Sequence, residues 1–520
     1  MPESGFSIGN IVRGWAETSP DAPALTLDGS TLSWAQLYER SQRVAGALQG
    51  SGVSAGDRVA FLDKNGFAYF EVLFAGSFLN AVNVAVNWRL APTEMAFVIN
   101  DAEAKVLVVS SDFSAQLELL APELKTVTTI VVVGDDAGGH QAYEAWLSAS
   151  RPVDPRLPTT DDAVALQLYT SGTTGLPKGV MLTNWNFSGL IEVASQLEIG
   201  PTSVSMVAMP LFHIGGSGWA LFGMSVGTHS VLVREIDPVA VLQLIPRHHI
   251  THTFLVPIAL LFLTLVPEVE DVDYSSLEYI VYGASPISED LLVRCIEIFG
   301  CGFYQVYGLT ETTGVITMLT PADHVDVEHR DRLRSAGKPM KDVEVRCVDL
   351  STGADVEPGE VGEIWVRSRQ VMKGYWHRPD GTKDALTPDG WFKTGDAGYV
   401  VDGYLFLHDR VKDMIVSGGE NVYPAEVENA LMKHEGVADV AVIGVPSDRW
   451  GEEVKAIVVK AKDHDPTAEE LIAFSKAHLA GFKVPKSVDF AESLPRNPSG
   501  KILKKDLRAP FWEGRERRIG

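Results

Sequence analysis

The chain has 520 residues, of which 45% are apolar and 22% are charged. This is enough apolar side chain for a large core, and the length favours two or more domains. The formal net charge of -24 excludes, for the chain as a whole, the basic surface that binds nucleic acid or anionic membrane, although a local basic pocket stays open.

The N-terminal part of the chain alternates short β-rich runs with helical stretches. Ser33 to Ser51 has a helical pattern. The β-rich runs include Ala24 to Leu27, Arg58 to Leu62, Val106 to Val109 and Thr129 to Val133. Alternation of this kind predicts α/β layers built on parallel sheets.

Two changes of pattern divide the rest of the chain. From about Val343 to Tyr399, short strands are separated by Gly and Pro turns, which predicts a β-rich subdomain. Further on, helices from Ala425 to His434 and from Ala468 to Leu479 flank two β runs, which predicts an α+β unit of small-domain size. We therefore predict an α/β N-terminal domain over residues 1–411, with two layered subdomains and the β-rich one, and a small α+β C-terminal domain over 412–520.

A loop rich in glycine and hydroxyl groups follows the strand-like run from Ala163 to Tyr169. Residues Thr170 to Gly179 contain four hydroxyl side chains, three glycines and Lys178. Glycines let backbone amides face an anion, hydroxyls add donors, and the lysine adds a positive charge, which together suit a polyphosphate. Because Pro177 stands where a Walker A loop needs glycine, the loop predicts nucleoside triphosphate binding of another class.

The segment from Tyr169 to Gly179 resembles the signature loop of the adenylate-forming superfamily. This superfamily includes acyl- and aryl-CoA synthetases, adenylation domains of peptide synthetases and beetle luciferases. Its further motifs follow in the same order as far as Lys501, and the resemblance is closest to bacterial medium- and long-chain fatty-acyl-CoA ligases. The resemblance implies that ATP binds through a set of loop residues: Thr170, Ser171, Gly172, Thr173, Thr174, Gly175 and Lys178.

A second motif, Tyr304 to Thr312, brings an aromatic ring, a hydroxyl and a carboxylate close together. A ring can stack on adenine, and a carboxylate suits Mg²⁺ that bridges phosphate oxygens. The resemblance implies that Tyr307 stacks on adenine, that Thr310 contacts the α-phosphate, and that Glu311 and Thr174 are ligands of Mg²⁺. Small or neighbouring residues complete this part of the predicted nucleotide site: Gly283, Ala284, Ser285, Gln305, Val306 and Gly308.

Three more residues are assigned by resemblance. Asp396 resembles the aspartate that accepts both ribose hydroxyls, a task that suits a carboxylate because it accepts two hydrogen bonds side by side. Arg410 resembles the arginine that reaches ribose or phosphate. His213 resembles the histidine beside the carboxylate substrate, and we interpret it as a gate to the acid site rather than a base. The glycines that follow it, with the apolar segment Val256 to Leu263, favour an open apolar tunnel for an aliphatic chain.

The predicted catalytic lysine is Lys501, in a turn-rich loop near the end of the chain. The resemblance implies that its charge lies between the carboxylate and the α-phosphate, where negative charge builds in the transition state. It also implies that the C-terminal domain moves about a hinge at Lys412 between two chemical steps. The loop from Ser417 to Asn421 would then take the place of Lys501, and its glycines, Gly418 and Gly419, would leave a passage for pantetheine.

These features predict an AMP-forming acyl-CoA synthetase with ATP, Mg²⁺ and coenzyme A as cofactors or co-substrates. The reaction would activate a carboxylic acid as an acyl-adenylate and transfer it to coenzyme A, releasing AMP and pyrophosphate. The alternatives left open are a fatty-acyl-AMP ligase that delivers to a carrier protein, a ligase of aryl or polycyclic acids, and a nucleotide-binding module without turnover. The identity of the acid and the oligomeric state, including a dimer, are also left open.

The compartment follows from cysteines, the N-terminal sequence and hydropathy. Cys295, Cys301 and Cys347 show no C-x-x-C spacing, which favours free thiols in a reducing cytoplasm. Residues 1–6 lack the basic start of a signal peptide. The most apolar stretch, Phe254 to Val266, is shorter than the about 20 residues of a membrane span. The sequence predicts a cytoplasmic protein without a transmembrane segment and leaves peripheral membrane contact open.

Overall fold

The structure is a computed structural model that describes residues 6–170, 177–192, 196–417, 420–447, 449–496 and 502–513. Within these ranges, the side chains of Asp409, Arg410, Lys412, Glu420 and Asn421 are not described. Some predicted site residues lie outside the described residues: Ser171, Gly172, Thr173, Thr174, Gly175, Gly418, Gly419 and Lys501.

The described residues form strands throughout the length of the chain. In chain order they are β1 (Pro23–Leu27), β2 (Ser30–Ser33), β3 (Arg58–Leu62), β4 (Val82–Ala85), β5 (Ala104–Ser110), β6 (Thr129–Val133), β7 (Gln141–Ala142), β8 (Val164–Thr170), β9 (Lys178–Thr183), β10 (Val204–Val207), β11 (His229–Leu232), β12 (His252–Leu255), β13 (Tyr279–Gly283), β14 (Gly302–Leu309), β15 (Gly314–Leu319), β16 (Lys338–Pro339), β17 (Glu344–Val348), β18 (Gly362–Arg367), β19 (Gly374–Tyr375), β20 (Phe392–Val401), β21 (Tyr404–Arg410), β22 (Ile415–Ser417), β23 (Glu420–Val422), β24 (Val437–Ser447), β25 (Gly451–Lys460) and β26 (Ser487–Phe490).

Helices alternate with the strands, and their starts follow local chemistry. The Ser33 side chain accepts the Gln36 amide while the Gln36 side chain accepts the Ser33 amide, so a capping box begins the second helix. Several later helices begin at proline, whose missing N–H costs nothing in the first turn. The helices are α1 (Gly9–Thr18), α2 (Trp34–Gly50), α3 (Phe67–Phe78), α4 (Pro92–Asp101), α5 (Ser114–Leu120), α6 (Tyr143–Ser148), α7 (Asn184–Glu192), α8 (Ile214–Ser225), α9 (Pro238–His248), α10 (Pro257–Thr264), α11 (Glu289–Phe299), α12 (Pro321–Val325), α13 (Pro379–Ala385), α14 (Pro424–Leu431), α15 (Ala468–His478) and α16 (Lys504–Arg508).

Two large sheets have parallel centres; the nine-stranded sheet has antiparallel pairs at both edges, and the eight-stranded sheet has them at one edge. One has nine strands in the order β16-β15-β14-β13-β12-β10-β11-β1-β2, and the other has eight in the order β19-β9-β8-β4-β3-β5-β6-β7. In both, a parallel strand is followed by an antiparallel partner: β14 pairs with β15, and β8 pairs with β9. The predicted α/β layering is therefore confirmed, and parallel sheets of this kind bind ligands at the carboxyl ends of their strands.

Two smaller sheets lie later in the chain. A four-stranded sheet has the order β17-β18-β20-β21, and the last sheet has the order β23-β22-β25-β24 with β26 paired to β25. Helices α14 and α15 contribute Val427, Leu431 and Leu471 to a core on one face of the last sheet, with Val442 and Val454. This is the predicted small α+β unit.

The described residues group into two compact units. The first comprises Met1–Glu344 and Val366–Phe392, and the second comprises Val345–Trp365 and Lys393–Gly520. The second unit therefore includes most of the four-stranded sheet, which the sequence assigned to the N-terminal domain. Lys412 lies in a short 3₁₀ turn between β21 and β22, inside the second unit. A domain boundary and hinge at Lys412 stays a prediction.

Two sequence expectations concern the cell compartment. Cys295, Cys301 and Cys347 are free thiols, and burial raises the pKa of Cys295 to about 12 and of Cys347 to about 11. Among the helices of the described ranges, we find none that is both long and apolar enough for a membrane span.

Candidate active site

Both predicted nucleotide motifs lie where a parallel strand turns into its antiparallel partner. Residues 171–177 connect β8 to β9, and residues 310–313 connect β14 to β15. These connections belong to different sheets, yet the Thr170 hydroxyl donates to Glu311 Oε1 at 3.4 Å. The carboxyl ends of β8 and β14 therefore meet within the first unit, and Thr170 and Glu311, which are far apart in sequence, are in contact.

Glu311 is buried, and its surroundings fix it closely. It is 9% exposed, and its Oε1 accepts hydrogen bonds from the Thr170 hydroxyl and, at 3.0 Å, from the Tyr375 hydroxyl. Its backbone carbonyl accepts the Met372 amide at 2.8 Å. The next residue but one, Thr313, has a positive φ of 54° and donates its hydroxyl to the Gln370 carbonyl at 2.6 Å. A carboxylate oxygen held at a strand end suits Mg²⁺, so the donor present fits the predicted metal.

Lys178 opens β9, directly across from Thr170 in the β8–β9 pair. Its Nζ lies 5.0 Å from the centre of the Tyr375 ring, a cation–π distance. Tyr375 thus contacts both the predicted phosphate-binding lysine and the predicted metal ligand. The part of the loop from Ser171 to Gly175 lies outside the described residues, and its phosphate contacts stay a prediction.

The residues around Gly283 and Tyr307 line the same strand ends. Gly283 ends β13 beside Val306 of β14, and a Cβ at Gly283 would overlap the Val306 carbonyl oxygen. Ala284 follows with a positive φ of 66°. Tyr307 and Thr310 are both buried, at 9% and 8% exposure. The observed geometry brings these predicted residues together; their contacts with adenine and phosphate stay predictions.

Gln305 has a different environment from the rest of this motif. With its amide nitrogen facing the backbone, it donates to the carbonyls of Ser335 and Ala336 at 3.3 Å each. These contacts support a structural role that joins β14 to the segment before β16.

Gly308 is required by the close approach of β14 to β15. A Cβ at this position would overlap the Gly314 carbonyl oxygen, which belongs to the backbone and cannot rotate away. We expect Gly308→Ala to destabilise the fold by about 2 kcal/mol, in the range of overpacked cores, and to weaken ATP binding because Glu311 follows on the same strand end. Thermal denaturation and calorimetric titration with ATP measure the two effects.

Gly14→Ala is the matched control for Gly308→Ala. Gly14 lies in α1, and a Cβ there would meet nothing within 4 Å. Alanine at such a helical position stabilises by about 0.5–1 kcal/mol. A Gly308→Ala protein that melts and binds ATP like wild type would contradict the reading of the β14–β15 contact.

His213 lies at the N-cap of α8 and is half-buried. Its Nδ1 accepts the Gly215 amide at 3.1 Å, and its backbone carbonyl accepts the Gly216 and Ser217 amides. A nitrogen that already accepts a helix amide is a poor general base through that atom. This arrangement agrees with the predicted gate role, which itself stays a prediction.

The glycines after His213 have a packing reason that the sequence did not reveal. A Cβ at Gly216 would overlap the Pro210 carbonyl oxygen, and a Cβ at Gly215 would lie 2.9 Å from the Phe254 ring. Close packing of α8 thus explains both residues, and they give no support for an open tunnel. Gly218 differs, since the atoms nearest to its Cβ would be those of Ile214 and Leu190, at ordinary contact distances of 3.4 and 3.5 Å.

Asn65 holds the turn before His213 and was not found from the sequence. It is buried, its Nδ2 donates to the carbonyls of Met209 and Val233 at 3.0 and 2.9 Å, and its Oδ1 accepts the Leu211 amide at 3.0 Å. Tyr375 was missed as well. Asn65 lies 144 residues from Met209 in sequence, and Tyr375 lies 64 residues from Glu311. Contacts over such separations leave no signal in the local sequence pattern.

Other predicted residues belong to the second unit. Asp396 is buried at 8% exposure, and its amide donates to the Thr394 hydroxyl. It faces Arg410 in the register of β20 and β21, so the backbone brings these two residues together. Ser417 ends β22, where it is buried at 7% exposure. The side chains of Arg410 and Lys412 are not described, and the roles of all four residues stay predictions.

The described residues on either side of Lys501 contact each other. Arg496 and Ile502 form an antiparallel bridge, and the Leu503 amide donates to the Pro495 carbonyl at 2.8 Å. Arg496 also pairs with Asp439 at 2.5 Å, while Ile502 packs on an apolar cluster of the last sheet. Lys501 itself lies outside the described residues.

Comparisons with known proteins agree with these motifs. The family model described as AMP-binding enzyme matches residues 12–376, and the AMP-binding enzyme C-terminal domain matches 426–501. The chain is 40% identical to fatty acid–[acyl-carrier-protein] ligase ScoC of Streptomyces coeruleorubidus over 97% of this chain and 96% of that protein. It is 40% identical to a feruloyl-CoA synthase of an Amycolatopsis species over 95% and 97% of the two chains. Among solved structures, o-succinylbenzoate CoA synthetase (MenE) of Bacillus subtilis in complex with its acyl-adenylate intermediate aligns with a TM-score of 0.82, 32% identity, and coverage of 98% and 99%.

Proposed function

The chain belongs to the AMP-binding enzyme family, and on that premise we propose that it joins a medium- or long-chain fatty acid to coenzyme A. Its place among the ATP-dependent acid–CoA ligases of the adenylate-forming superfamily follows from the family match and the relatives. The observation that carries the proposal is the Thr170–Glu311 contact, which joins the loop before β9 to the turn before β15. The acid and the acceptor are the finer parts of the proposal.

The first proposed step makes an acyl-adenylate. A carboxylate is a poor electrophile, so an oxygen of the acid attacks the α-phosphorus of ATP, the bond to the bridging oxygen breaks, and pyrophosphate leaves. Lys178 places a positive charge toward the departing phosphates, and Lys501 offsets the charge that builds at the α-phosphorus. Mg²⁺ held by Glu311, with Thr174 as the second predicted ligand, would supply further positive charge to the phosphate oxygens when bound.

The second proposed step moves the acyl group to sulfur. The thiol of coenzyme A releases its proton to solvent and the thiolate attacks the acyl carbon, the bond from that carbon to the phosphate oxygen breaks, and AMP leaves. We propose that Asp396 and Arg410 hold the ribose, and that Ser417, Gly418 and Gly419 border the path of pantetheine. A hinge at Lys412 belongs to the same proposal.

The relatives differ in the acid and in the acceptor that their names give. The name of ScoC pairs a fatty acid with a carrier protein, whereas that of the feruloyl-CoA synthase pairs an aryl acid with coenzyme A, and the identity is 40% to each. We favour a fatty acid because the apolar side chains of Ile214 and Leu190 both lie beside Gly218, close to His213 along α8. Transfer to a carrier protein is the second candidate, and the similarity to ScoC is its support.

A panel of acids tests this proposal. Purified protein is incubated with ATP, Mg²⁺ and saturated fatty acids of increasing length, cinnamic-type acids or polycyclic acids, and AMP and thioester are measured with and without coenzyme A. We expect the highest kcat/KM for medium- or long-chain fatty acids and an acyl-CoA product. Acylation of a phosphopantetheine-bearing carrier protein with no acyl-CoA would contradict the acceptor, and a preference for aryl acids would contradict the acid class.

A further inference from the structure

Tyr375 is the side chain that connects the two charged residues of the first unit's site. Its hydroxyl donates to Glu311 Oε1 at 3.0 Å, and the Lys178 Nζ lies 5.0 Å from the centre of its ring. The residue is half-buried and follows Gly374 in β19. No motif in the sequence indicated this position. The roles predicted for Lys178 and Glu311, phosphate and metal binding, did not involve Tyr375.

The backbone around Tyr375 is anchored on both sides. β19 pairs with β9 at the edge of the eight-stranded sheet, with Tyr375 opposite Val180. The Lys373 amide donates to the Met181 carbonyl at 3.0 Å, and the Trp376 amide donates to the Gly179 carbonyl at 2.7 Å. Tyr375 is therefore fixed to the strand that begins at Lys178.

Asp101, at the end of α4, adds a second anchor. Its backbone carbonyl accepts the Trp376 indole at 2.9 Å, and its carboxylate accepts Arg378 at 2.7 Å and the Tyr169 hydroxyl at 2.8 Å. The Arg58 guanidinium lies 3.4 Å from the centre of the Trp376 ring. The Tyr375 segment and the end of β8 are thus held by the same residue, so the tyrosine cannot shift without disturbing the strand that leads into the phosphate loop.

We propose that Tyr375 is a positioning residue. It holds the Glu311 carboxylate in place to bind the metal and the Lys178 ammonium in place to bind the phosphates of ATP. The proposal rests on the proposed function, because it assumes that Lys178 and Glu311 act on a metal-bound triphosphate. The hydroxyl fixes one carboxylate oxygen, since hydrogen bonds to charged groups are the stronger ones in proteins. The ring gives the Lys178 ammonium a neutral contact surface at cation–π distance.

Two substitutions separate the contributions of the hydroxyl and the ring. Tyr375→Phe keeps the ring and removes only the hydrogen bond to Glu311. Calorimetric titration with ATP and Mg²⁺ should give a Kd about tenfold higher than wild type, whereas the Kd for metal-free ATP or for AMP should change less than about twofold. Tyr375→Leu also removes the ring, and it should weaken metal-free ATP binding as well because Lys178 loses its contact surface.

Tyr274→Phe is the matched control. The Tyr274 hydroxyl donates to the Val269 carbonyl at 2.6 Å, and the residue has no place in the predicted site. This variant should bind ATP with Mg²⁺ like wild type. Thermal denaturation of all three variants shows whether any loss of binding follows from a loss of fold.

Three results are decisive. Tyr375→Phe with wild-type affinity for ATP and Mg²⁺ would overturn the role of Tyr375 and leave the proposed function intact. An equal loss of affinity of Tyr375→Phe for ATP with Mg²⁺, metal-free ATP and AMP would also overturn it, since that pattern indicates a structural role. A wild-type protein that does not bind ATP with Mg²⁺ would contradict the proposed function, and the role of Tyr375 with it.

Discussion

Lys501→Ala is expected to lower acid-dependent exchange of pyrophosphate into ATP by about 10²- to 10³-fold, the usual cost of removing a charge that stabilises a transition state. The same variant should still form the thioester when it is given the acyl-adenylate and coenzyme A. The reason is that negative charge builds at the α-phosphorus only in the first step. The second step breaks the bond between the acyl carbon and the phosphate oxygen.

The described residues that flank the loop of Lys501 allow a clean test of this lysine. The Arg496–Ile502 bridge and the Leu503–Pro495 hydrogen bond are backbone contacts, which a change of the Lys501 side chain leaves in place. Lys505→Ala, at an exposed position of α16, is the matched control and should keep both half-reactions. Equal loss of both half-reactions in Lys501→Ala would contradict the assignment of this lysine to the first step.

Glu311→Gln should lower kcat/KM for adenylate formation by about 10²-fold, because an amide keeps the size of the side chain but removes the charge that binds Mg²⁺. The buried position of Glu311 makes this loss specific, since the side chain has fixed partners in Thr170 and Tyr375. Pyrophosphate exchange measured against Mg²⁺ concentration should show a higher Mg²⁺ requirement for the variant.

Glu198→Gln controls for the loss of a carboxylate that accepts a tyrosine hydroxyl. Glu198 accepts the Tyr279 hydroxyl at 2.8 Å, and Tyr279 begins β13, at the strand end opposite the site. We expect this variant to keep the wild-type dependence on Mg²⁺. A wild-type Mg²⁺ dependence in Glu311→Gln would show that the metal is held elsewhere.

Much of the fold could be predicted because the signals are local. The predicted runs Arg58 to Leu62 and Thr129 to Val133 match β3 and β6, and the predicted helix Ala468 to Leu479 matches α15. The Ser33 cap places the start of α2 within one residue of the prediction. Apolar periodicity and capping act within a few residues, so sequence alone reports them.

The grouping of the strands is set by contacts that the sequence does not report. The four-stranded sheet was assigned to the N-terminal domain because its strands precede Lys412 in the chain. In the structure most of it belongs to the second unit, since β18 and β20 pair with each other across an insertion that returns to the first unit. The same holds for β19, a two-residue strand that is recognisable only through its pairing with β9.

The candidate site, too, was predictable from the sequence in part. Motif chemistry indicated Glu311 and the resemblance predicts its role as a Mg²⁺ ligand, and the structure adds that Thr170 and Tyr375 donate hydrogen bonds to its carboxylate. The glycines at 215 and 216 show the converse, because their pattern suggested a tunnel while their Cβ positions meet Phe254 and Pro210. From the sequence alone, a glycine shows only that a position has no side chain. The structure shows which neighbouring group leaves no room for one.

The most direct test of the central claim, an acyl-adenylate intermediate, follows one oxygen atom. The best acid of the panel is labelled with ¹⁸O in its carboxylate, and the mass of the AMP formed in the presence of coenzyme A is measured by mass spectrometry. Attack of the carboxylate on the α-phosphorus followed by cleavage at the acyl carbon predicts a single labelled oxygen in each AMP. Unlabelled AMP, or label in inorganic phosphate with release of ADP, would contradict the account.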